Sequence, residues 1–402
     1  MFEQFEHCLK RVNFYLRFLG LSLDGRKKKK NILEIISGYW IYFAHLFSLN
    51  LEVLAQLLWV WEAVIAEKSF VEITRLIPCL VLCLISNFKS ISILYYAQYN
   101  NEFIETMKTL LLNQMEIEEE EGNLYKKKLI DTHVLMLTNI NKKIIYLIIM
   151  GIIMFALGPV FIILPDYLKS NEVKLEMPFI GYYPFNEFDL RIYPWVYIHQ
   201  VETAIVAMLM VYGPDCFFFT CCTFLHIQFS LLKYDMERIV SEDSNRLDGM
   251  KFKKLAVRHI ELMRCVNLLE EIFSKSILFN ALTSIIIICV TGFNVMVVGN
   301  IVMMASFAAF LVFGLMQIFL FCYYGDTLMT SSTQVSDAIY NSKWYNIEAA
   351  DRKNFFIVLI RAQKPCVLTA NGFFTINLHA FTSILSRSWS FFALLKTMYH
   401  PE

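Results

Sequence analysis

The chain has 402 residues, 57% of them hydrophobic and only 18% charged, with 35 phenylalanines and a mean hydropathy of +0.49. That is long enough for two or three soluble domains, but a soluble protein cannot cover so much apolar surface, so the composition indicates a polytopic membrane protein. The formal net charge is zero, yet the charges sit in clusters between long uncharged runs.

Charge scattered through residues 1–25, with no cleavage site after them, argues against a signal peptide. Phe5, Leu9, Val12, Leu16 and Leu19 recur every three or four places, which predicts an amphipathic helix lying in the inner membrane interface. The basic run RKKKK at 26–30 directly precedes an apolar stretch and reads as a topological anchor.

Apolar runs follow at roughly 33–60, 70–97, 144–164, 195–231, 277–298, 301–325 and 373–397. From Ile277 to Gly325 no charged residue occurs for 49 positions, about twice what one span needs, and Gly299-Asn300 supplies the turn that divides them. Seven spans result. The expected fold is an all-α, seven-transmembrane protein forming a single domain over residues 1–402.

Lys and Arg total 28 in segments 1–32, 98–143, 233–275 and 326–364, against four in the alternate segments. The asymmetry predicts an intracellular amino terminus and an extracellular carboxyl terminus. A G-protein-coupled receptor has the opposite sense, and neither a DRY-type triplet nor NPxxY is found. Apolar residues at helical spacing (Leu255, Ile260, Leu262, Val266, Leu269, Ile272) extend spans four and five inward, and 326–362 does the same for spans six and seven. The inner segments therefore predict a helical cytoplasmic anchor. EEEE at 118–121 followed by KKK at 126–128 reads as solvated, salt-bridged surface.

The outer loop 166–193 is too long to be structureless and too aromatic to be disordered, so it is expected to fold over the mouth of a cavity. None of the ten cysteines lies in it, which argues against an external disulfide framework, and no N-glycosylation sequon occurs. Gly-rich phosphate loops, zinc spacings, nucleophile elbows and paired carboxylates are lacking in the sequence, and His199, His226, His259 and His379 stand isolated as packing histidines. No enzyme, metal or cofactor is expected. Arg75, Lys89, Glu202, Asp215 and Arg387 are charged residues inside spans, where charge is costly unless it faces protein or water. For Lys89 and Asp215 a structural ion pair is the favoured reading.

The last fifty residues carry the clearest design. Lys364-Pro365 breaks a short helix, Asn371-Gly372 supplies a turn, and an apolar run from Phe373 to Tyr399 predicts a long final helix. Along it Ser383, Arg387, Ser390, Leu394 and Thr397 recur every three or four places, while Phe373, Phe381, Phe392 and Leu395 take the opposite, lipid-facing side. A mixed polar stripe suits a helix lining a pore, with Arg387 as either a vestibule charge or a subunit contact.

The motifs of the last third resemble those of the insect odorant receptors: QIFLFCYYGD from Gln317, DAIYNSKW ending at Trp344, LIRAQKPCVLTA at 359–370 and FFTINLHAFTSILSRSWSFFALLK at 373–396. Weaker matches are MPFIGYYPF in the outer loop and DCFFF at 215–219. Ser388 to Phe392 looks like the odorant branch, where the related gustatory receptors carry a TY…QF pattern. The resemblance implies an odorant-tuning subunit of a ligand-gated, non-selective cation channel, since the family's co-receptor has a much larger inner segment between spans four and five. It implies a heterotetramer with that co-receptor in the plasma membrane of an olfactory neuron dendrite, with no nucleic acid and no G protein involved. It places the gate at Leu394, while Arg387 and Lys396 depart from neutral residues of the co-receptor. It also places a pocket for a small hydrophobic volatile among spans two, three, four and six, where Ile73, Ile77, Phe155, Phe161, Ile205, Met208, Phe307 and Phe310 are the candidates. A gustatory-type receptor and a transporter are the alternatives, the latter weakened by the lack of internal repeats.

Overall fold

In the computed structural model, residues 1–23, 37–115, 123–170, 175–240, 249–346 and 349–398 are described. The basic run 26–30 and the acidic run 118–121 lie outside them. Among the described residues the chain forms ten α-helices and no strand. These are α1 (Phe2–Phe18), α2 (Trp40–Ile65), α3 (Phe70–Tyr95), α4 (Ala97–Met115) and α5 (Asn123–Ser170). They continue with α6 (Tyr193–Glu237), α7 (Gly249–Val297), α8 (Ile301–Asn341), α9 (Ala349–Ala362) and α10 (Leu378–Met398).

Six of them, α2, α3, α5, α6, α7 and α8, are long and apolar enough to cross a membrane. With 21 residues, α10 is about 32 Å long, close to the hydrocarbon thickness, but Arg387, Lys396 and four serines make it more polar than the six. Four helices run well past their apolar segments: α5 has 48 residues, α6 has 45, α7 has 49 and α8 has 41.

The centre of the fold is α6, which packs against α8, α3, α5, α7 and α1. Its DCFFF segment builds the aromatic heart. Phe218 lies 4.8 Å from Phe321 and 5.1 Å from Phe273, and Phe219 stacks 4.9 Å from Tyr324 (centroid distances). One turn away the buried Lys89 donates to Asp215 at 2.6 Å, and Gln317 donates to the other carboxylate oxygen at 2.7 Å. The sequence reading of a structural pair is thus matched, and α3, α6 and α8 are tied at one level. Proline inside α3 is accommodated in the same way. Pro78 cannot donate to the Thr74 carbonyl four residues back, and Asn294 of α7 supplies that hydrogen bond instead at 2.9 Å.

Several expectations are corrected by packing. The apolar face of α1 does not lie on lipid: Phe5, Val12 and Leu16 are fully buried, with Phe5 4.9 Å from Phe224 of α6. Of the inner apolar set on α7, Leu255, Leu262, Val266, Leu269 and Ile272 are buried within the chain, and Ile260 alone faces outward. Lys126 is no solvated surface charge, because it pairs with Asp235 at 3.0 Å, which Arg258 also contacts at 3.2 Å. Nor is His226 isolated, since its Nε2 lies 3.4 Å from Nε2 of His133. Before the last helix the expected break and turn are present, separating α9 from α10.

That turn is tight. Asn371 and Gly372 both have positive φ, and Phe373 donates to the Ala370 carbonyl at 3.0 Å, a two-residue hairpin of the type that an Asn-Gly pair adopts at low cost. It is bolted to α7 by Thr369 donating to Glu270 at 2.5 Å and by the Asn371 amide donating to Ser274 at 2.8 Å. The final helix consequently begins at Leu378 rather than Phe373, with Asn377 accepting from the Ala380 amide as an N-cap.

Candidate functional site

The cavity of interest is bordered by four helices and one loop. It measures about 340 Å³. Cys79, Leu82 and Cys83 come from α3, residues from Leu147 to Phe155 from α5, Ala204, Ala207 and Met208 from α6, and Ser306 to Phe313 from α8. Small residues create the room, since Gly151, Ala204, Ala207, Ala308 and Ala309 stand where larger side chains would fill the gap between helices. The lining is apolar apart from Ser306, whose hydroxyl is already donated to the Val302 carbonyl at 3.0 Å.

Over one end lies the described part of the loop, residues 175–192. Phe179 is buried, lines the cavity and rests 4.1 Å from the ring of Phe155. Its backbone is held at both polar atoms by Gln200 of α6, the amide donating to Oε1 at 2.9 Å and the carbonyl accepting from Nε2 at 3.2 Å. Tyr183 then joins the loop to α2. Its hydroxyl accepts from Gln200 at 2.9 Å and donates at 3.0 Å to Glu52, a carboxylate with no exposed surface. Glu52 also accepts from Gln56 at 3.2 Å, and His199 lies 3.8 Å away. The Tyr182 amide adds a bond to the Ala55 carbonyl at 2.9 Å. The loop is therefore a fixed roof, in keeping with the expectation drawn from its aromatic content.

A second space of about 160 Å³ adjoins the first and shares Cys79, Met154, Phe155, Phe179, Ser306 and Phe310 with it. It adds Phe307, Arg75 and Glu176. Of the eight residues selected from sequence, Phe155, Met208 and Phe310 line the main cavity and Phe307 the adjoining one. Ile77 lines neither space and packs instead into a cluster with Val81, Leu82, Ile85, Val211 and Ile287, and Phe161 is 58% exposed. Ile73 and Ile205 are half-buried and line neither space. Sequence reasoning missed Phe179 and the alanines. Selecting for bulk finds side chains that touch a cavity, while the small residues at 204, 207, 308 and 309 were the available signal of where space opens.

The stripe on α10 is found on the uncovered side of the chain. Arg387, Ser390, Leu394 and Thr397 are exposed, with Leu394 54% accessible, and Ser383 is half-buried. The opposite side differs from expectation. It packs on the protein's own helices, with Phe381 5.4 Å from Phe319 of α8, Phe392 against Gly292 of α7, and Ile384 and Ser388 buried. Leu395 shares this half-buried side, and Phe373 precedes the helix and is exposed.

Comparison with known proteins settles the family. A family profile described as "7tm Odorant receptor" matches residues 69–388, most of the chain. The chain belongs to the 7tm odorant receptor family. Among curated relatives, this receptor is 24% identical to odorant receptor 85b of Drosophila melanogaster, covering 98% of this chain and 99% of that one. It is 23% identical to odorant receptor 67c of the same species, with 96% and 95% covered. The fold is shared with the olfactory receptor OR5 of Machilis hrabei solved in complex with eugenol, at a TM-score of 0.81 and 17% identity, over 99% of this chain and 100% of that one. This receptor is a multi-pass membrane protein of a chemoreceptor family and not an enzyme.

Proposed function

We propose that this chain is the odorant-tuning subunit of a ligand-gated, non-selective cation channel, working with a co-receptor subunit in a heterotetramer of the plasma membrane. In this reading residues 1–402 form one seven-span unit built from α2, α3, α5, α6, α7, α8 and α10, with the amino terminus inside. The observation that carries it is the apolar cavity of about 340 Å³ roofed by Phe179. An apolar cleft with few free polar groups suits a small hydrophobic volatile, whose binding gains come from burial rather than from directed bonds. The eugenol complex of the Machilis receptor, a protein of the same fold, supports a volatile as the ligand class.

The exposed stripe Arg387, Ser390, Leu394 and Thr397, with Ser383 at its inner end, supports the pore assignment for α10. A polar row on a membrane helix that its own chain leaves uncovered needs water or another subunit beside it. The apolar residues Val257 and Ile260 on α7 and Phe356, Ile357 and Ile360 on α9 are also exposed, and they are the surfaces assigned to assembly.

The test is to co-express the chain with a co-receptor and record currents against a panel of volatiles, alongside Ala207→Phe, which fills the cavity. Odorant-evoked current is expected from the pair, little or none from the chain alone, and loss of response in Ala207→Phe at matched surface expression. Robust current from the chain alone would overturn the tuning-subunit assignment, and unchanged responses in Ala207→Phe would move the ligand elsewhere.

A further inference from the structure

The space next to the main cavity contains a feature that a purely hydrophobic ligand does not use. Arg75, on the first turns of α3, lines it, and the Arg75 Nε is buried without a hydrogen-bond partner among the described residues. Three other charged span residues are satisfied within the chain: Lys89 and Asp215 bind each other, and Glu202 accepts from Ser48 at 2.7 Å and lies 2.9 Å from His45. Arg75 is the exception at the cavity. A buried N–H left unpaired is destabilising, and a guanidinium cannot escape by losing its proton. The main cavity borders this space, and Phe155, Phe179 and Phe310 line both. The one hydroxyl between them, that of Ser306, is committed to its own helix.

The geometry points to Arg75 as the polar end of the ligand site, selecting odorants that carry a neutral oxygen acceptor (a ketone, an aldehyde or an ester) on an apolar body. The body occupies the main cavity and the oxygen accepts from Arg75. For a carboxylate ligand the attraction of Arg75 is offset by Glu176, which lines the same space with a like charge. A hydrocarbon is disfavoured because it leaves the buried Arg75 Nε unpaired. A charge-assisted hydrogen bond in a water-poor site is among the stronger ones available to a small ligand. This inference rests on the odorant-receptor reading proposed above.

The experiment uses the full chain co-expressed with a co-receptor and volatiles of matched carbon number in four sets: ketones and esters, alcohols, carboxylic acids, and hydrocarbons. Ketones and esters are expected to be the most potent set. Arg75→Met is expected to shift their half-maximal concentration upward by about tenfold or more, the usual scale for losing a hydrogen bond to a charged group, and to leave responses to hydrocarbons unchanged. Arg75→Lys, which keeps the charge and a donor, recovers part of the shift. Glu176→Gln is expected to improve the response to acids without weakening that to ketones. Surface expression of each variant is measured in parallel, and an Arg75→Met chain that fails to reach the surface is replaced by Arg75→Gln, for which a smaller shift in the same direction is expected. Hydrocarbons as the most potent set, or equal loss for every class in Arg75→Met and Arg75→Gln at normal surface expression, would overturn the inference while leaving the receptor reading intact. A wild-type pair that responds to no volatile would reject the receptor reading itself.

Discussion

Lys89 and Asp215 are the residues whose chemistry is most exposed to a single change. Lys89 retains 1% of its surface, so either charge alone would sit in an apolar interior with no counter-ion. Removing one partner of such a pair costs about 3–5 kcal/mol, whereas replacing both by apolar residues of similar volume is close to neutral. Asp215→Asn is therefore expected to lower the melting temperature and surface yield sharply, and Lys89→Met with Asp215→Leu to recover most of the loss. Thermal unfolding of the detergent-solubilised chain, run as a double-mutant cycle, checks this. A double variant no better than the worse single variant would show that the pair has a role beyond structure.

Among the elements, the turn before α10 and α10 itself respond differently to substitution. Gly325 of α8 lies so close to the turn that a Cβ there would collide with the carbonyl oxygen of Ile376. Backbone cannot rotate away as a side chain can, so Gly325→Ala is expected to destabilise the chain by about 1–3 kcal/mol, read as a lower melting temperature. On α10 the two sides can be told apart by one substitution each. Leu394 is exposed on the polar stripe, and an apolar constriction blocks ions by excluding water. Leu394→Ser is expected to raise the current without odorant, partially, because the partner subunits supply the rest of the ring. Leu395→Ser, on the half-buried side, is expected to lower expression with little change in resting current per surface channel. Recordings normalised to surface labelling separate the two, and an unchanged resting current in Leu394→Ser removes Leu394 from the gate.

At the scale of the molecule, what was legible in the sequence follows period and composition. The uncharged stretch from Ile277 to Gly325, the Asn371-Gly372 turn and the Lys89–Asp215 pair each depend on local chemistry that a single chain displays. Less legible was which apolar face meets which neighbour. Helical periodicity identifies an apolar stripe on α1 or α7 but does not distinguish lipid, a second subunit and the chain's own core. For Phe5, Val12, Leu262 and Val266 the chain's own core takes the stripe. Under the assembly proposed above, the apolar surface left for a partner includes Ile357 and Ile360, 58% and 61% exposed on α9. Ile357→Ser with Ile360→Ser is expected to reduce co-purification with the co-receptor while leaving the folding stability of the single chain within about 0.5 kcal/mol of wild type, as for other surface changes. Undiminished co-purification would assign assembly to another face.

The hairpin at 371–372 also fixes an angle. Because Glu270 and Ser274 hold it to α7, and Asn377 starts α10 a few residues later, the rotation of the last helix about its own axis is set from its first turn. Each helical residue turns the chain by about 100° and advances it by about 1.5 Å. One residue inserted after Ala380 would swing everything beyond it by about 100°, presenting to α7 and α8 the row that now holds Arg387 and Leu394 and turning Phe392 outward. Four inserted residues would bring the row back to within about 40° of its present bearing but carry it about 6 Å along the axis. The last helix works like a key cut on one side: its teeth have meaning only at the bearing the hairpin gives them.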